Sequence, residues 1–224
     1  MDSRYFLELK NMIFPAISET LYMVFWSSLF SVIIGIILGI ILYITDNNSI
    51  LENKIINKVL GTIVNIGRSI PFVILMIAVF PLSKFIVGTS IGTAASVVPL
   101  TVAAIPFVAR MIEICLKEID NGIIEAAISM GASEVQIIYK VLLPESISSI
   151  ISTITTTVIS IIGYSSMAGI IGGGGLGDIA ITYGYQRYRV DVLIISVLIM
   201  IILVQIVQGI GNILSKKLNK KIIK

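Results

Sequence analysis

Histidine does not occur in the 224 residues, which removes the commonest general base, the commonest transition-metal ligand and every His-dependent catalytic triad. Cysteine occurs once, at Cys115, so an intrachain disulfide is excluded. Charge is scarce: Asp, Glu, Lys and Arg make up 13% of the chain, and the net charge is +3. That is too little for a nucleic-acid binder or a polybasic surface protein. No paired carboxylates fall inside an apolar run, which leaves no constellation for general acid–base catalysis. The first ten residues mix Asp2, Arg4, Glu8 and Lys10 and lack a small-residue cleavage site. They do not read as a secretory signal, and the first apolar run is expected to be a permanent anchor. No internal repeat at a fixed period is visible.

Apolar side chains are what the chain has in excess, at 56% of residues. A soluble fold of this size cannot hide so much apolar surface, whereas a bilayer takes it exposed. A transmembrane helix needs about 20 such residues. Five runs qualify, at 20–45, 59–83, 85–109, 146–171 and 192–215, and only the second contains a charge, Arg68. The expected fold is all-α: a single transmembrane domain over 1–224 with five spans, a loop at 113–145 and a glycine-rich loop at 172–178. Five spans place the termini on opposite sides. The lysines at 216, 217, 220, 221 and 224 put the C-terminus in the cytoplasm by the positive-inside rule, and the N-terminus outside. Alternating back adds Lys54, Lys58, Lys117 and Lys140, giving nine basic residues inside. Five lie outside: Arg4, Lys10, Lys84, Arg187 and Arg189. The 113–145 loop is then cytoplasmic on charge alone.

That loop carries Glu125-Ala126-Ala127-Ile128-Ser129-Met130-Gly131-Ala132 and, further on, Val141-Leu142-Leu143-Pro144. Asp120 is a plausible N-cap, a short helix is expected over about 123–130, and Gly131 ends it. A second helical piece is expected over about 133–142, and Pro144 is expected to prevent helix from continuing unbroken into the next segment. Ala126, Ala127, Gly131 and Ala132 leave a low surface on which another protein can lie close. An ordinary solvated face accounts for the charges but not for those small residues.

Other stretches admit two readings each. Arg68 lies ten residues past Lys58, about 15 Å at helical rise. It either lines a water-filled path or reaches headgroups or a carboxylate, and Pro71 is expected to kink the helix just beyond it. Pro99 and Pro106 suggest that the third run faces protein rather than lipid. The run Gly172, Gly173, Gly174, Gly175, Leu176, Gly177, Asp178 lacks the lysine and hydroxyl of a phosphate-binding loop and lies on the outer side, which excludes nucleotide there. It permits close backbone packing, or movement at an outer mouth. Met167 either narrows a pore or is ordinary packing. The segment 181–188 is dense in tyrosine, as an interfacial belt or an outer surface receiving a binding protein would be. Gln205, Gln208 and Asn212 fall on one face of the last run and are expected to pack against helices or a wet interior.

The spacing of the loop, Glu-Ala-Ala with Gly four after the second Ala and Leu-Pro beyond, resembles the signature loop of ABC-importer permeases; Val141 stands where that family most often has Ile. With Gly163-Tyr164-Ser165-Ser166-Met167-Ala168-Gly169, the run 172–178 and Tyr183-Gly184-Tyr185-Gln186-Arg187-Tyr188, the chain resembles the permeases of methionine importers over essentially its whole length. The resemblance implies the type I ABC importer permease fold in a bacterial inner membrane. It implies two copies forming one path, two ATPase subunits docked on the Glu125 loop, and an extracytoplasmic lipoprotein delivering methionine. ATP would be bound by the partner subunit and no cofactor by this chain, which would be non-catalytic. Glu125, Ala126, Ala127, Ser129, Met130, Gly131, Ala132 and Pro144 would couple to the ATPase; Met167, Arg68 and Tyr164 are candidates for the pore or gate. Two other functions remain open: a permease of the same type for another amino acid or an osmolyte, and a transporter driven by an ion gradient. The second should show an inverted repeat or a buried acidic ion site, and neither is visible.

Overall fold

The computed structural model describes residues 3–47 and 49–219; Asp2, Lys220, Lys221 and Lys224, on which part of the charge reading rests, lie outside them. Among the described residues there are nine α-helices and no strand: α1 (Ser3–Ile44), α2 (Lys54–Ser69), α3 (Phe72–Val87), α4 (Thr93–Lys117), α5 (Asn121–Ser129), α6 (Glu134–Ile137), α7 (Leu143–Ile170), α8 (Gly175–Ile179) and α9 (Val190–Leu218). Two π-helical turns, Ile138–Leu142 and Ala180–Tyr185, precede α7 and follow α8. Apolar sequence in lipid must close its backbone hydrogen bonds within each segment, which is why every long run here is helical. Four helical stretches are long and apolar enough to cross a membrane, and α2 with α3 makes a fifth if counted as one broken span.

Four boundaries depart from the sequence reading, the first being the run expected at 85–109, which is divided between the end of α3 and α4, Thr93–Lys117. Helix α1 begins at Ser3 rather than near Thr20 and has 42 residues, about 63 Å at 1.5 Å per residue, roughly twice a bilayer's hydrocarbon core. The stretch expected at 59–83 is not one kinked helix: α2 stops at Ser69 and α3 starts at Phe72. Pro71 has ψ 134°, lacks an N–H donor, and accepts from Ile74 and Leu75 as the residue in front of α3. Pro144, expected to interrupt the chain, does not: helix is continuous over Glu134–Ile170. The π-turn explains this. Leu143 N–H donates to Ile138 O, five residues back, which widens the helix where the Pro144 ring would otherwise strike the carbonyl of Lys140.

The helices fall into two compact units. The first comprises 1–31, 70–104 and 158–207. Its cores join Met23, Phe72, Met76, Leu100 and Ile161 in one cluster, and Leu9, Ile13, Leu176, Ile179 and Val192 in another. The second comprises 32–69, 105–157 and 208–224. Its main core takes Tyr43 from α1, Ile112 and Leu116 from α4, Ile124 and Ala127 from α5, Ile137 from α6 and Ile150 from α7.

Small residues set the close crossings in the second unit. A Cβ on Gly35 would lie 2.5 Å from Val108 Cβ, and one on Gly39 2.6 Å from Ala109 O. The Gly35-x-x-x-Gly39 face of α1 thus lies directly on α4. Along α7 and α9, Ser148 and Ser215 share a hydroxyl hydrogen bond of 2.9 Å, and Ser152 reaches Ser215 at 3.1 Å. The stripe Gln205, Gln208 and Asn212 is exposed in the single chain rather than packed, and Gln208 donates to Asn212 at 2.8 Å.

Candidate docking site

The Glu125 segment is a built element. Asp120 caps α5 by accepting from Gly122 N–H at 2.8 Å. At the other end Gly131 N–H donates to Ile128 O at 2.9 Å and Ala132 N–H to Ala127 O at 3.1 Å. These two bonds, five-to-two and six-to-one, are a Schellman closure, which needs a left-handed residue at Gly131, where φ is 78°. A Cβ there would meet nothing within 4 Å, so the demand is on backbone conformation and not on space. Ser133 then starts α6 with a capping box: its N–H donates to Gln136 Oε1 and Gln136 N–H donates to its Oγ.

The exposed face comprises Glu125, Ala126, Ile128, Ser129, Met130 and Gly131. Met130 is 81% exposed and Tyr139 67%, which is unusual for large apolar side chains beside a polar loop. A shallow depression of about 420 Å³ lies among Asp120, Ile123, Ala126, Met130 and Val141. Two of the residues expected on this surface turn inward instead: Ala127 is buried in the core of the second unit and Ala132 packs against it. Pro144 is partly buried beyond the π-turn and shapes the helix that carries the element.

Sequence reasoning missed what lies behind α5. Glu113 on α4 is only 3% exposed. Its Oε2 accepts from Arg110 at 2.7 Å and its Oε1 from Lys117 at 2.8 Å. Lys117 also pairs with Asp46 at 2.7 Å, and Arg110 donates its second nitrogen to Asn65 Oδ1 on α2 at 2.8 Å. The Lys117 ammonium, as the main cause, holds the Asp46 carboxyl below the ordinary carboxylate range. The i, i+3, i+7 spacing of Arg110, Glu113 and Lys117 was a usable signal, since it places all three on one helix face.

The other candidate residues divide between the units. Arg68 is exposed in the last turn of α2, in the second unit. Tyr164 and Met167 belong to the first. Tyr164 stacks on Phe72 with centroids 4.8 Å apart and rings 13° from parallel, whereas Met167 is 42% exposed. The glycine run is not an open loop. Gly173, Gly175 and Gly177 are buried, and Gly175–Ile179 is helical. A side chain on Gly169 or Gly177 would strike the backbone of the facing segment, at Asp178 and Ser166 respectively. Glu19 and Thr20 on α1 accept from the N–H groups of Gly175 at 2.7 Å and Leu176 at 2.9 Å, capping α8. Asp178 accepts from the Thr182 hydroxyl at 2.9 Å. Nearby, Arg187 lies 4.5 Å from the Tyr183 ring centre, and Tyr185 and Tyr188 are 73% and 87% exposed.

The description "binding-protein-dependent transport system inner membrane component" belongs to the family whose pattern matches residues 31–223. The chain belongs to that family. This inner membrane component is 48% identical over 219 residues to a Vibrio cholerae protein named as a probable D-methionine transport system permease, covering 98% of this chain and 97% of that one. It is 46% identical over 203 residues to the Bacillus subtilis methionine import system permease protein, covering 91% of each. In three dimensions it matches a chain of the inward-facing MetNI methionine ABC transporter with a TM-score of 0.92 and 41% identity, over 97% of this chain and 99% of that one. The all-α permease fold expected from the sequence is the fold observed, and the family role is that of a non-catalytic membrane component.

Proposed function

We propose that the chain is the permease subunit of an ATP-driven importer of methionine. The observation that carries this reading is near-end-to-end identity of 48% with a named methionine permease, in a chain that presents its Glu125 element as a capped, exposed helix pair. Two copies form the translocation path, and each receives an ATPase subunit on α5, with Ala126, Ser129, Met130 and Gly131 at the contact and Glu125 offering its one charge. The loop is cytoplasmic, the N-terminus outside, and a methionine-binding lipoprotein delivers substrate to the outer mouth near 172–178. Closure of the ATPase pair on ATP displaces the two docked α5 helices together and opens the path outward; hydrolysis reverses it. The chain contributes no nucleotide chemistry. Met167, Arg68 and Tyr164 are the candidates to line or gate the path, Met167 being 42% exposed and Tyr164 stacked on Phe72.

The test is uptake by proteoliposomes containing this chain, its ATPase and its binding protein. Methionine should accumulate only with ATP inside the ATPase compartment, and excess unlabelled methionine should compete where other amino acids do not. Uptake without ATP would overturn the mechanism, and ATP-dependent uptake of a different ligand alone would overturn the substrate.

A further inference from the structure

The Glu113 cluster adjoins the Glu125 element, since Asp46 and Lys117 line one depression with Ile124, Glu125 and Ile128, and it holds a carboxyl that is 3% exposed between two basic side chains. A buried ion pair stabilises less than well-packed apolar residues of the same volume, so its presence is better explained by the geometry it fixes than by stability. That geometry is specific. Both oxygens of one carboxylate are used, one toward Arg110 and one toward Lys117. Through Arg110 the carboxylate reaches Asn65 on α2, and through Lys117 it reaches Asp46 in the turn after α1. Lys117 is the last residue of α4, three residues before Asp120, the cap of α5.

The apolar core of the second unit already joins α5 to α1, α4, α6 and α7, but no residue of α2 is part of it. Helix α2 meets the rest of that unit through Val64 and Leu60 beside Leu42 and Ala109, through the close approach of Gly67 to Pro106, through Asn57, which donates to Leu42 O, and through Asn65. Apolar contacts tolerate sliding by a fraction of a turn. A charge-assisted, two-armed carboxylate does not, because its hydrogen bonds are directional.

We propose that Glu113 is a positioning residue for transport: it locks α2 and the turn after α1 to the helix leading into α5, so that displacement of α5 is delivered to α2 without slip. The inference rests on the permease reading above. It assigns to Glu113, Arg110, Lys117, Asp46 and Asn65 the task of converting movement of the docked helix into movement of the path.

The measurement is the ratio of methionine imported to ATP hydrolysed in proteoliposomes of the full complex, for wild type and for Glu113→Gln, Asn65→Leu, Asp46→Asn and Asn65→Asp. Glu113→Gln weakens both arms and should lower the ratio at least fivefold while the ATPase still co-purifies and still hydrolyses ATP. Asn65→Leu removes one arm and Asp46→Asn weakens the other to a neutral hydrogen bond, and each should lower it at least twofold. Asn65→Asp keeps an acceptor for Arg110 and should retain the wild-type ratio. A merely structural cluster would lower the thermal stability of the complex and leave the ratio unchanged in every variant that assembles, and that result overturns the proposal. Should Glu113→Gln fail to assemble, the two single-arm variants, at partly or fully exposed positions, decide by the same criterion. A wild-type complex without ATP-dependent uptake would instead overturn the permease reading, and the inference with it.

Discussion

At the residue scale, one glycine and one carboxylate show how local physics serves the docking element. Gly131 sits at φ 78° with open space around its Cα. Gly131→Ala therefore adds no clash and only the left-handed cost of an L residue, about 1–2 kcal/mol. It should fray the end of α5, and the affinity of the purified chain for its ATPase, measured by titration in detergent, should fall roughly tenfold at a cost of about 1.4 kcal/mol. Asp46 carries a pH dependence of known sign. Its carboxyl is held below the ordinary 3.8 by Lys117, so the pair contributes fully above that value and is lost as pH falls through the lower, folded one. Thermal stability of the wild-type chain should drop on acidification below 3.8, and Asp46→Asn should flatten that limb of the profile. Glu125, Asp120 and Gly131 were legible because caps and turns are written in adjacent residues. The inward turn of Ala127 was not, since only the core beneath it decides which side of α5 faces out.

At the scale of elements, the long apolar runs announced their helices, and the departures at Pro71, Pro144 and the glycine run have one source: a proline or glycine acts according to its neighbours. Pro71 ends a helix, whereas Pro144 is absorbed by a π-turn that removes the clash before it occurs. The glycines at 172–177 looked like a pliable loop, but Gly169 and Gly177 are where two backbones touch and Glu19 and Thr20 pin the start of α8. No local signal in the run reveals partners more than 150 residues away. The Gly35-x-x-x-Gly39 contact yields a prediction at this scale. A valine at Gly39 would place its Cβ 2.6 Å from both Ala109 O and Ile112 Cβ, so α1 and α4 must separate. Gly39→Val should cost about 1–3 kcal/mol, visible as a lowered melting temperature in detergent, whereas Gly88→Ala, in open space but at φ 86°, should lose less than a clash of that kind.

At the scale of the whole molecule, the proposed orientation, with α5 on the cytoplasmic side, can be checked directly. The only cysteine, Cys115, is buried, so new cysteines report on a quiet background. Met130→Cys, at an 81% exposed position, should react with a membrane-impermeant maleimide only in inverted vesicles, and Tyr188→Cys, at 87%, only in intact cells. The reverse pattern would invert the topology. Whether α5 is where an ATPase takes hold is decided by cross-linking Ala126→Cys in the assembled importer with a short bifunctional reagent. A product joining this chain to the ATPase subunit, lost when Glu125→Lys is added, is the expected result. A chain that transports normally yet gives that product from no position on α5, while a cysteine elsewhere does, would contradict it.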